Sequence, residues 1–210
     1  MTKAIIFDLQ GTLIDNGVYP SPLRQARYFL RAREQYHDFV PKFEKIFMTK
    51  KFDTLKEALV EVTKEFGVDM PAHIMDKMIG VWNKNKLLSK IYPDTIPCLE
   101  SLKGKYKLIL VANCDCFTRD VIEKFNLDKY FDLIQMSCDT GFLKHDKEFY
   151  LNPLSELGIS PEDAIVVGDS IDSDVMGADN AGIKVILLDR KNNREFEDKI
   201  GTLADLEANL

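Results

Sequence analysis

The stretch AIIFDLQGTLID, residues 4–15, determines how the rest of the sequence is interpreted. Residues 4–7 are all apolar and lead directly into Asp8. A short, uninterrupted apolar run is typical of a strand buried on both faces, as in a parallel sheet. Asp8 then lies at the carboxyl end of the strand, where open α/β sheets bind ligands, and Gly11 permits a tight turn beyond it. On this stretch alone, a strand that ends in a turn with a solvated Asp8 explains the pattern equally well.

A second apolar run, near the other end of the chain, favours a functional role for Asp8. In AIVVGDSIDSD, residues 164–174, a predicted strand is again followed by acids, here Asp169 and Asp174. Two such strand ends would bring Asp8, Asp169 and Asp174 together in one cleft. Three carboxylates repel one another unless a cation holds them, and hard oxygen ligands with room for water suit Mg²⁺. Lys144, in the intervening segment GFLK, is available to offset part of the negative charge.

Four features, taken in chain order, resemble the motifs of the haloacid dehalogenase-like hydrolase superfamily: DxxGT from Asp8, a strand followed by Asn113, Lys144, and GDSxxxD from Gly168. The resemblance covers residues 2–15 and about 91–210. The segment between them carries none of these motifs.

The predicted elements divide the chain into a core and an insert. Strands alternate with helices after residue 91, which favours a parallel, doubly wound sheet. Residues 16–90 instead contain four stretches of helical periodicity and no strand, which indicates a compact helical bundle. The expected fold class is α/β: a doubly wound, Rossmann-like core of residues 1–15 and 91–210 with an inserted all-α helical-bundle cap. The cap is defined as residues 16–90, and in family terms it lies between the first and second motifs.

Two features connect the cap to the predicted cleft. Residues 16–22 and 88–93 are the two crossings between cap and core, and we expect them to act as hinges that open and close the cleft. In the first cap helix, Arg24, Arg27 and Arg31 fall at positions i, i+3 and i+7, which places them on one face. This basic stripe is either a solvated face or a surface that holds an anionic substrate.

The family resemblance implies a role for each matching residue. Asp8 would attack phosphorus and form an aspartyl-phosphate, and Lys144 would hold the nucleophile and the phosphoryl oxygens. Mg²⁺ would neutralise and orient the phosphoryl group. Its expected ligands are Asp8, Asp169, the backbone carbonyl of Gln10 and, directly or through water, Asp174. The residues assigned to substrate binding are Gly11, Thr12, Asn113, Arg24 and Arg27.

Gln10 and Ala112 depart from the family pattern. Phosphatases of the family carry a second aspartate where this chain has Gln10, and that aspartate protonates the leaving oxygen and then activates water. An amide donates a hydrogen bond but cannot take up or deliver a proton, and general acid–base help is typically worth about 10²–10⁴-fold. Gln10 therefore predicts slow hydrolysis of the aspartyl-phosphate. Ala112 replaces a Ser or Thr whose hydroxyl would bond a phosphoryl oxygen, a loss on the order of 1–3 kcal/mol.

Three functions are compatible with these residues. The first is a Mg²⁺-dependent phosphatase or phosphotransferase that acts on a small phosphorylated metabolite, with weakened acid–base catalysis. The second is a 2-haloacid dehalogenase, because those relatives also lack the second aspartate; they need no metal, however, and this chain keeps Asp169 and Asp174. The third is a non-catalytic member that binds a phosphorylated ligand, which the intact Asp8 and Lys144 argue against.

The bulk composition narrows the expected partners. The 210 residues have a net charge of −6, with 28 Lys and Arg against 34 Asp and Glu. With no long basic block in the sequence, we expect no nucleic-acid binding. No apolar run approaches the ~18 residues of a membrane span, and the N-terminus leads directly into a strand, so we expect no signal peptide and a cytoplasmic location. The oligomeric state is left open between monomer and homodimer.

Overall fold

The computed structural model describes residues 2–210, so Met1, which the predicted core includes, lies outside the described residues. The strands in the described part are β1 (Ala4–Asp8), β2 (Ile14–Asp15), β3 (Lys90–Ile91), β4 (Lys107–Ala112), β5 (Leu133–Met136), β6 (Ala164–Gly168), β7 (Lys184–Leu188) and β8 (Lys199–Ile200). Six of them form one sheet in the order β5-β4-β1-β6-β7-β8, and every neighbouring pair is parallel.

The α-helices lie between these strands in the chain. In the described residues they are α1 (Pro22–Phe29), α2 (Tyr36–Phe47), α3 (Leu55–Glu65), α4 (Ala72–Leu88), α5 (Thr95–Leu102), α6 (Arg119–Lys124), α7 (Ser137–Thr140), α8 (Glu148–Glu156) and α9 (Met176–Ala181). A π-helical turn, Ile171–Val175, leads into α9. None of the helices between residues 2 and 210 combines the length and the apolarity needed to cross a bilayer.

Strand β1 is buried on both faces, as its apolar run predicts. Ile5 and Phe7 pack into the hydrophobic cluster on one side of the sheet, whereas Ala4 and Ile6 pack into the cluster on the other side. This alternation follows from the two-residue period of a strand. Both faces of the sheet are covered by helices, so the prediction of a doubly wound parallel α/β fold is confirmed.

The four helices α1 to α4 share a hydrophobic cluster separate from those on the sheet, to which Leu143 also contributes. Phe39, Phe43 and Phe47 recur every four residues along α2, and all three side chains are fully buried. The rings of Phe43 and Trp82 stack at a centroid distance of 5.8 Å and an interplanar angle of 20°. This aromatic cluster holds α2 against α4 and gives the cap a rigid centre.

The two crossings between core and cap run side by side. Strands β2 and β3 form an antiparallel pair in which Ile14 lies opposite Ile91. Just beyond this pair, the buried side-chain oxygen of Asn85 accepts hydrogen bonds from the backbone N–H groups of Gly17 at 2.9 Å and Val18 at 3.2 Å. The start of the cap is therefore fixed to its last helix. The division at residues 16–90 and its hinge motion stay predictions.

Candidate active site

The strand order brings three polar side chains to one edge of the sheet. Asp8 is the last residue of β1, Asn113 directly follows β4 and Asp169 directly follows β6. Because β1 lies between β4 and β6 and all three strands are parallel, their carboxyl ends meet at the same edge. This is the position at which open α/β sheets bind ligands.

Lys144 joins two of the predicted acids in a buried network. Its ammonium donates a hydrogen bond to Oδ1 of Asp8 and another, at 2.6 Å, to Oδ1 of Asp174. The three residues are only 3%, 5% and 0% exposed, in the order Lys144, Asp8, Asp174. The second carboxylate oxygen of Asp174 accepts a hydrogen bond from the backbone N–H of Ser170 at 3.1 Å. Asp174 therefore has both oxygens engaged and holds Lys144 against Asp8.

The site carries more negative charge than Lys144 neutralises. Burial raises the pKa of Asp8 to about 7; the Lys144 ammonium opposes this, and the nearby Asp174 and Asp169 add to it. Burial alone would lower the pKa of Lys144, but Asp174 and Asp8 raise it well above its ordinary value, so the ammonium stays charged. Burial and Asp174 also raise the pKa of Asp169. A bound cation would stabilise the ionised acids.

The acid cluster has the chemistry of a divalent-cation site. One carboxylate oxygen each from Asp8, Asp169 and Asp174 lies within 4.8 Å of the others. Hard carboxylate oxygens are the ligands that Mg²⁺ and Ca²⁺ prefer. Because the oxygens of Asp174 are already hydrogen-bonded, Asp8 and Asp169 have the greater capacity to bind an ion directly. The donor set and the excess negative charge both fit such a cation.

Two glycines let the backbone approach the acids closely. Gly11 has a φ of +89°, and a Cβ built on it would lie 2.5 Å from Cγ of Asp169. A Cβ on Gly168 would lie 2.2 Å from Cγ of Asp174. Atoms at such distances overlap, so a larger residue at either position would displace a carboxylate. The DxxGT and GDSxxxD glycines are thus required by the packing of the two acids.

A cleft of about 360 Å³ lies between this edge of the sheet and helices α1, α2 and α4. Gln10 and Asn113 line it from the core, and Glu44 lines it from α2. Asn113 donates a hydrogen bond from Nδ2 to Oε2 of Glu44 at 2.9 Å, and its Oδ1 accepts one from the backbone N–H of Lys144 at 2.9 Å. Burial raises the pKa of Glu44 to about 7; Asn113 and Lys144 oppose the shift and Asp174 adds to it.

Thr12 lies outside the lining of the cleft. Its side chain is fully buried, its hydroxyl has no hydrogen-bond partner in the described part of the chain, and its carbonyl accepts a hydrogen bond from Arg190 at 2.8 Å. Ala112, at the position where the family expects a hydroxyl, is buried at the end of β4. Asp8, Gly11 and Lys144 are also absent from this lining, and the role of Thr12 in substrate binding stays a prediction.

The predicted arginine stripe is wrong as a continuous helical face. Helix α1 ends before Arg31, which has a left-handed φ of 51°. Arg24 is exposed, with its guanidinium 4.6 Å from the centre of the Tyr36 ring. Arg27 donates two hydrogen bonds to the backbone carbonyl of Glu34, at 3.1 and 2.5 Å. Neither Arg24 nor Arg27 lines the cleft, because both are engaged with the segment that follows α1.

Two charged residues at the site were not found from the sequence. Glu44 belongs to a row at four-residue spacing with Tyr36 and Val40 of α2 and with Met48, which directly follows the helix, and all four line the cleft. An acid within an otherwise apolar row is a signal that could have been noticed. Arg194 lies in the loop after β7, with Nη2 at 3.6 Å from Oδ2 of Asp169, and no local pattern marks it.

The family is established by comparison with known proteins. The family described as haloacid dehalogenase-like hydrolase matches residues 2–182. The chain therefore belongs to the haloacid dehalogenase-like hydrolases, and the resemblance drawn from the four motifs is confirmed.

Named relatives define the class more closely. The chain is 31% identical over 197 residues to the phosphoglycolate phosphatase of Aquifex aeolicus, covering 88% of this chain and 84% of the relative. It is 26% identical over 211 residues to the glyceraldehyde 3-phosphate phosphatase of Methanothermobacter thermautotrophicus, covering 95% of this chain and 91% of that relative. The 2-haloacid dehalogenase of Pseudomonas syringae has a similar fold, with a TM-score of 0.68 and 22% identity. The match covers 100% of this chain and 98% of the dehalogenase chain. The prediction of a phosphatase-type hydrolase of this superfamily is confirmed.

Gly11→Ala should destabilise the protein more than Gly104→Ala. Both glycines have a positive φ, +89° and +84°, but a Cβ on Gly104 would have no atom within 4 Å. The left-handed backbone should cost each variant about 1–2 kcal/mol. The overlap with Asp169 should cost Gly11→Ala a further ~1–3 kcal/mol, as in an overpacked core. Urea unfolding of both variants measures the difference, and equal losses would mean that Gly11 is needed only for its turn.

Proposed function

We propose that this protein is a Mg²⁺-dependent phosphatase or phosphotransferase that acts on a small phosphorylated metabolite through an aspartyl-phosphate. Its acid–base catalysis is weakened because Gln10 stands where relatives carry an aspartate. The observation that carries the proposal is the hydrogen bond from the buried Lys144 ammonium to Asp8, beside an acid cluster able to bind a divalent cation. A nucleophilic carboxylate, a fixed positive charge and a cation site are the parts that phosphoryl transfer needs.

Each residue of the site has a separate role in the proposed reaction. An oxygen of Asp8 attacks phosphorus, and its new P–O bond forms as the bond to the ester oxygen breaks. Lys144 holds Asp8 in position and stabilises charge on the phosphoryl oxygens. Asp8 and Asp169, with the Gln10 carbonyl, would hold Mg²⁺, which when bound neutralises the phosphoryl group. Asp174 supports the site by anchoring Lys144.

The size of the cleft favours a small substrate. About 360 Å³ is at the lower end of the range of small-molecule pockets. Phosphoglycolate and glyceraldehyde 3-phosphate, the compounds in the names of two relatives, are small enough for such a volume. We propose that residues 16–90 move on their two linkers to admit the substrate, since these residues form one wall of the cleft.

A dehalogenase function is the weaker alternative. The similarity to the Pseudomonas syringae dehalogenase extends over the whole chain and supports a shared fold. A carbon–halogen bond can be displaced by Asp8 without a proton donor at position 10 or a metal ion. Asp169 and Asp174 would then have no metal-binding role, and three clustered acids would be an unnecessary electrostatic cost.

Mg²⁺ should raise the melting temperature of the wild type, because a ligand that binds the native state stabilises it. At a free concentration of 100 times its Kd the gain is about 2.7 kcal/mol. Asp169→Asn should lose most of this Mg²⁺-dependent gain. Asp172→Asn, at an exposed aspartate outside the cluster, should retain it. Melting curves with and without Mg²⁺ measure both, and an unchanged wild-type curve would count against the metal site.

Gln10→Asp should increase turnover of an alkyl phosphate ester by roughly tenfold or more with Mg²⁺ present, below the ~10²–10⁴ of a well-placed acid–base group. Aryl esters should gain less, because an aryl oxide leaves more readily without a proton. Steady-state phosphate release measures both gains.

The controls for this substitution separate the candidate functions. Asp8→Asn should abolish turnover in the wild-type and Gln10→Asp backgrounds. A dehalogenase would release halide from 2-chloropropionate without metal and would not benefit from Gln10→Asp. A binding protein would hydrolyse neither substrate in either background.

A further inference from the structure

The cap contributes a carboxyl group, that of Glu44, to the active site. At position 10 of the core, where phosphatases of the family have an acid–base aspartate, this chain has only the amide of Gln10. Glu44 lies on α2, and its side chain reaches the end of β4, where Oε2 accepts the hydrogen bond from Asn113. Asn113 in turn contacts Lys144 through its Oδ1, and Lys144 contacts Asp8. Glu44 in the cap is thus linked to the nucleophile in the core through Asn113, which accepts from the backbone N–H of Lys144, and through the Lys144 side chain, whose ammonium bonds Asp8. Both Glu44 and Gln10 line the same cleft.

Four other acids line the cleft: Asp169 belongs to the acid cluster, Asp172 is exposed to solvent, and Asp115 and Asp15 are occupied with local structure. Asp115 caps the turn after β4, where its Oδ1 accepts a hydrogen bond from the backbone N–H of Phe117 at 2.9 Å. Asp15 accepts hydrogen bonds from the Tyr19 hydroxyl and from the backbone N–H of Asn16. The Glu44 side chain makes no hydrogen bond to its own segment in the described chain; it accepts one from Asn113, the residue that bonds the backbone of Lys144.

We propose that Glu44 is the acid–base residue of this enzyme and supplies the proton transfers that Gln10 cannot perform, though less effectively than an aspartate at position 10 would. This inference rests on the proposed function. In the first step Glu44 gives its proton to the ester oxygen as the P–O bond breaks and Asp8 becomes phosphorylated. In the second step the Glu44 carboxylate takes a proton from water as the water oxygen bonds to phosphorus. Inorganic phosphate and the free Asp8 carboxylate are released, and Glu44 is again protonated.

The surroundings of Glu44 suit both halves of this cycle. Burial brings its pKa to about 7, so the protonated and the ionised forms are both accessible near neutral pH. A catalytic acid–base group is most effective when its pKa lies near the working pH. A phosphate ester in the cleft would add negative charge and favour the protonated form at the start of the first step.

An acid–base residue on the cap makes hydrolysis depend on cap closure. Asp8, Lys144 and Asp169 belong to the core, so substrate could bind and phosphorylate Asp8 slowly in an open state. Proton transfer would occur only when α2 lies against the end of β4. Water could then hydrolyse the aspartyl-phosphate efficiently only in the closed state.

Glu44→Gln tests the proposal while keeping an acceptor oxygen for the Asn113 amide. With Mg²⁺ present, turnover of an alkyl phosphate ester should fall by roughly 10²-fold, and that of an aryl ester by much less. Asp38→Asn removes an exposed acid from the same helix and should leave both rates unchanged. If Glu44 only fastens the cap to Asn113, Glu44→Gln will keep wild-type turnover or will lower both esters equally, and either result overturns the proposal.

Combining the two substitutions makes the test independent of folding defects. The gain from Gln10→Asp should be at least about tenfold larger in the Glu44→Gln background than in the wild type, because the new aspartate then supplies the only acid–base group. Equal gains in both backgrounds would overturn the role of Glu44 and leave the proposed function intact. Full turnover by Asp8→Asn would overturn the aspartyl-phosphate mechanism and, with it, this inference.

Discussion

The Lys144 ammonium lies buried between Asp8 and Asp174, and the geometry of the site depends on these two hydrogen bonds. Removing one partner from a buried ion pair typically costs about 3–5 kcal/mol, because the other charge is left without compensation. The triad also connects three distant parts of the chain: the end of β1, the loop before α8 and the π-helical turn before α9. Lys144 therefore fixes the active-site loops as well as the nucleophile.

One ammonium among three acids leaves the site short of positive charge. Burial raises the pKa of Asp8, the neighbouring acids add to this rise, and the excess of negative charge makes the cluster receptive to a cation. It also gives a physical reason for the close packing of Gly11 against Asp169, since the carboxylate must lie near the other acids to share an ion. The arrangement is suited to a reaction in which negative charge accumulates on a transferred group.

The core and its acids could be predicted because their signals are local. The apolar runs before Asp8 and Asp169 specify buried strands, and the parallel order of those strands brings the acids together without further information. The replacement of the family's second aspartate by Gln10 could likewise be recognised directly from the sequence. The buried strands, the acids at their ends and the amide at position 10 all follow from short runs of residues that can be identified in the sequence itself.

The cap could be predicted only as a set of helices. Helical periodicity does not state where α1 ends, and the sequence after it has no glycine or proline to stop it before Arg31. Nor does it state which helix faces the core. Glu44 could be recognised as part of the site only once α2 had been placed against β4, because its contact with Asn113 joins residues 69 positions apart. Tertiary packing, not propensity, determines such contacts.

The identity of the nucleophile is the central claim, and the covalent intermediate tests it most directly. The wild-type protein would be incubated with Mg²⁺ and a phosphate ester, quenched in acid, and digested for peptide mass spectrometry. We expect one added phosphoryl group on the peptide that contains Asp8, present in the wild type and absent from Asp8→Asn. Phosphate release without phosphorylation of that peptide, or phosphorylation of a different residue, would contradict the account.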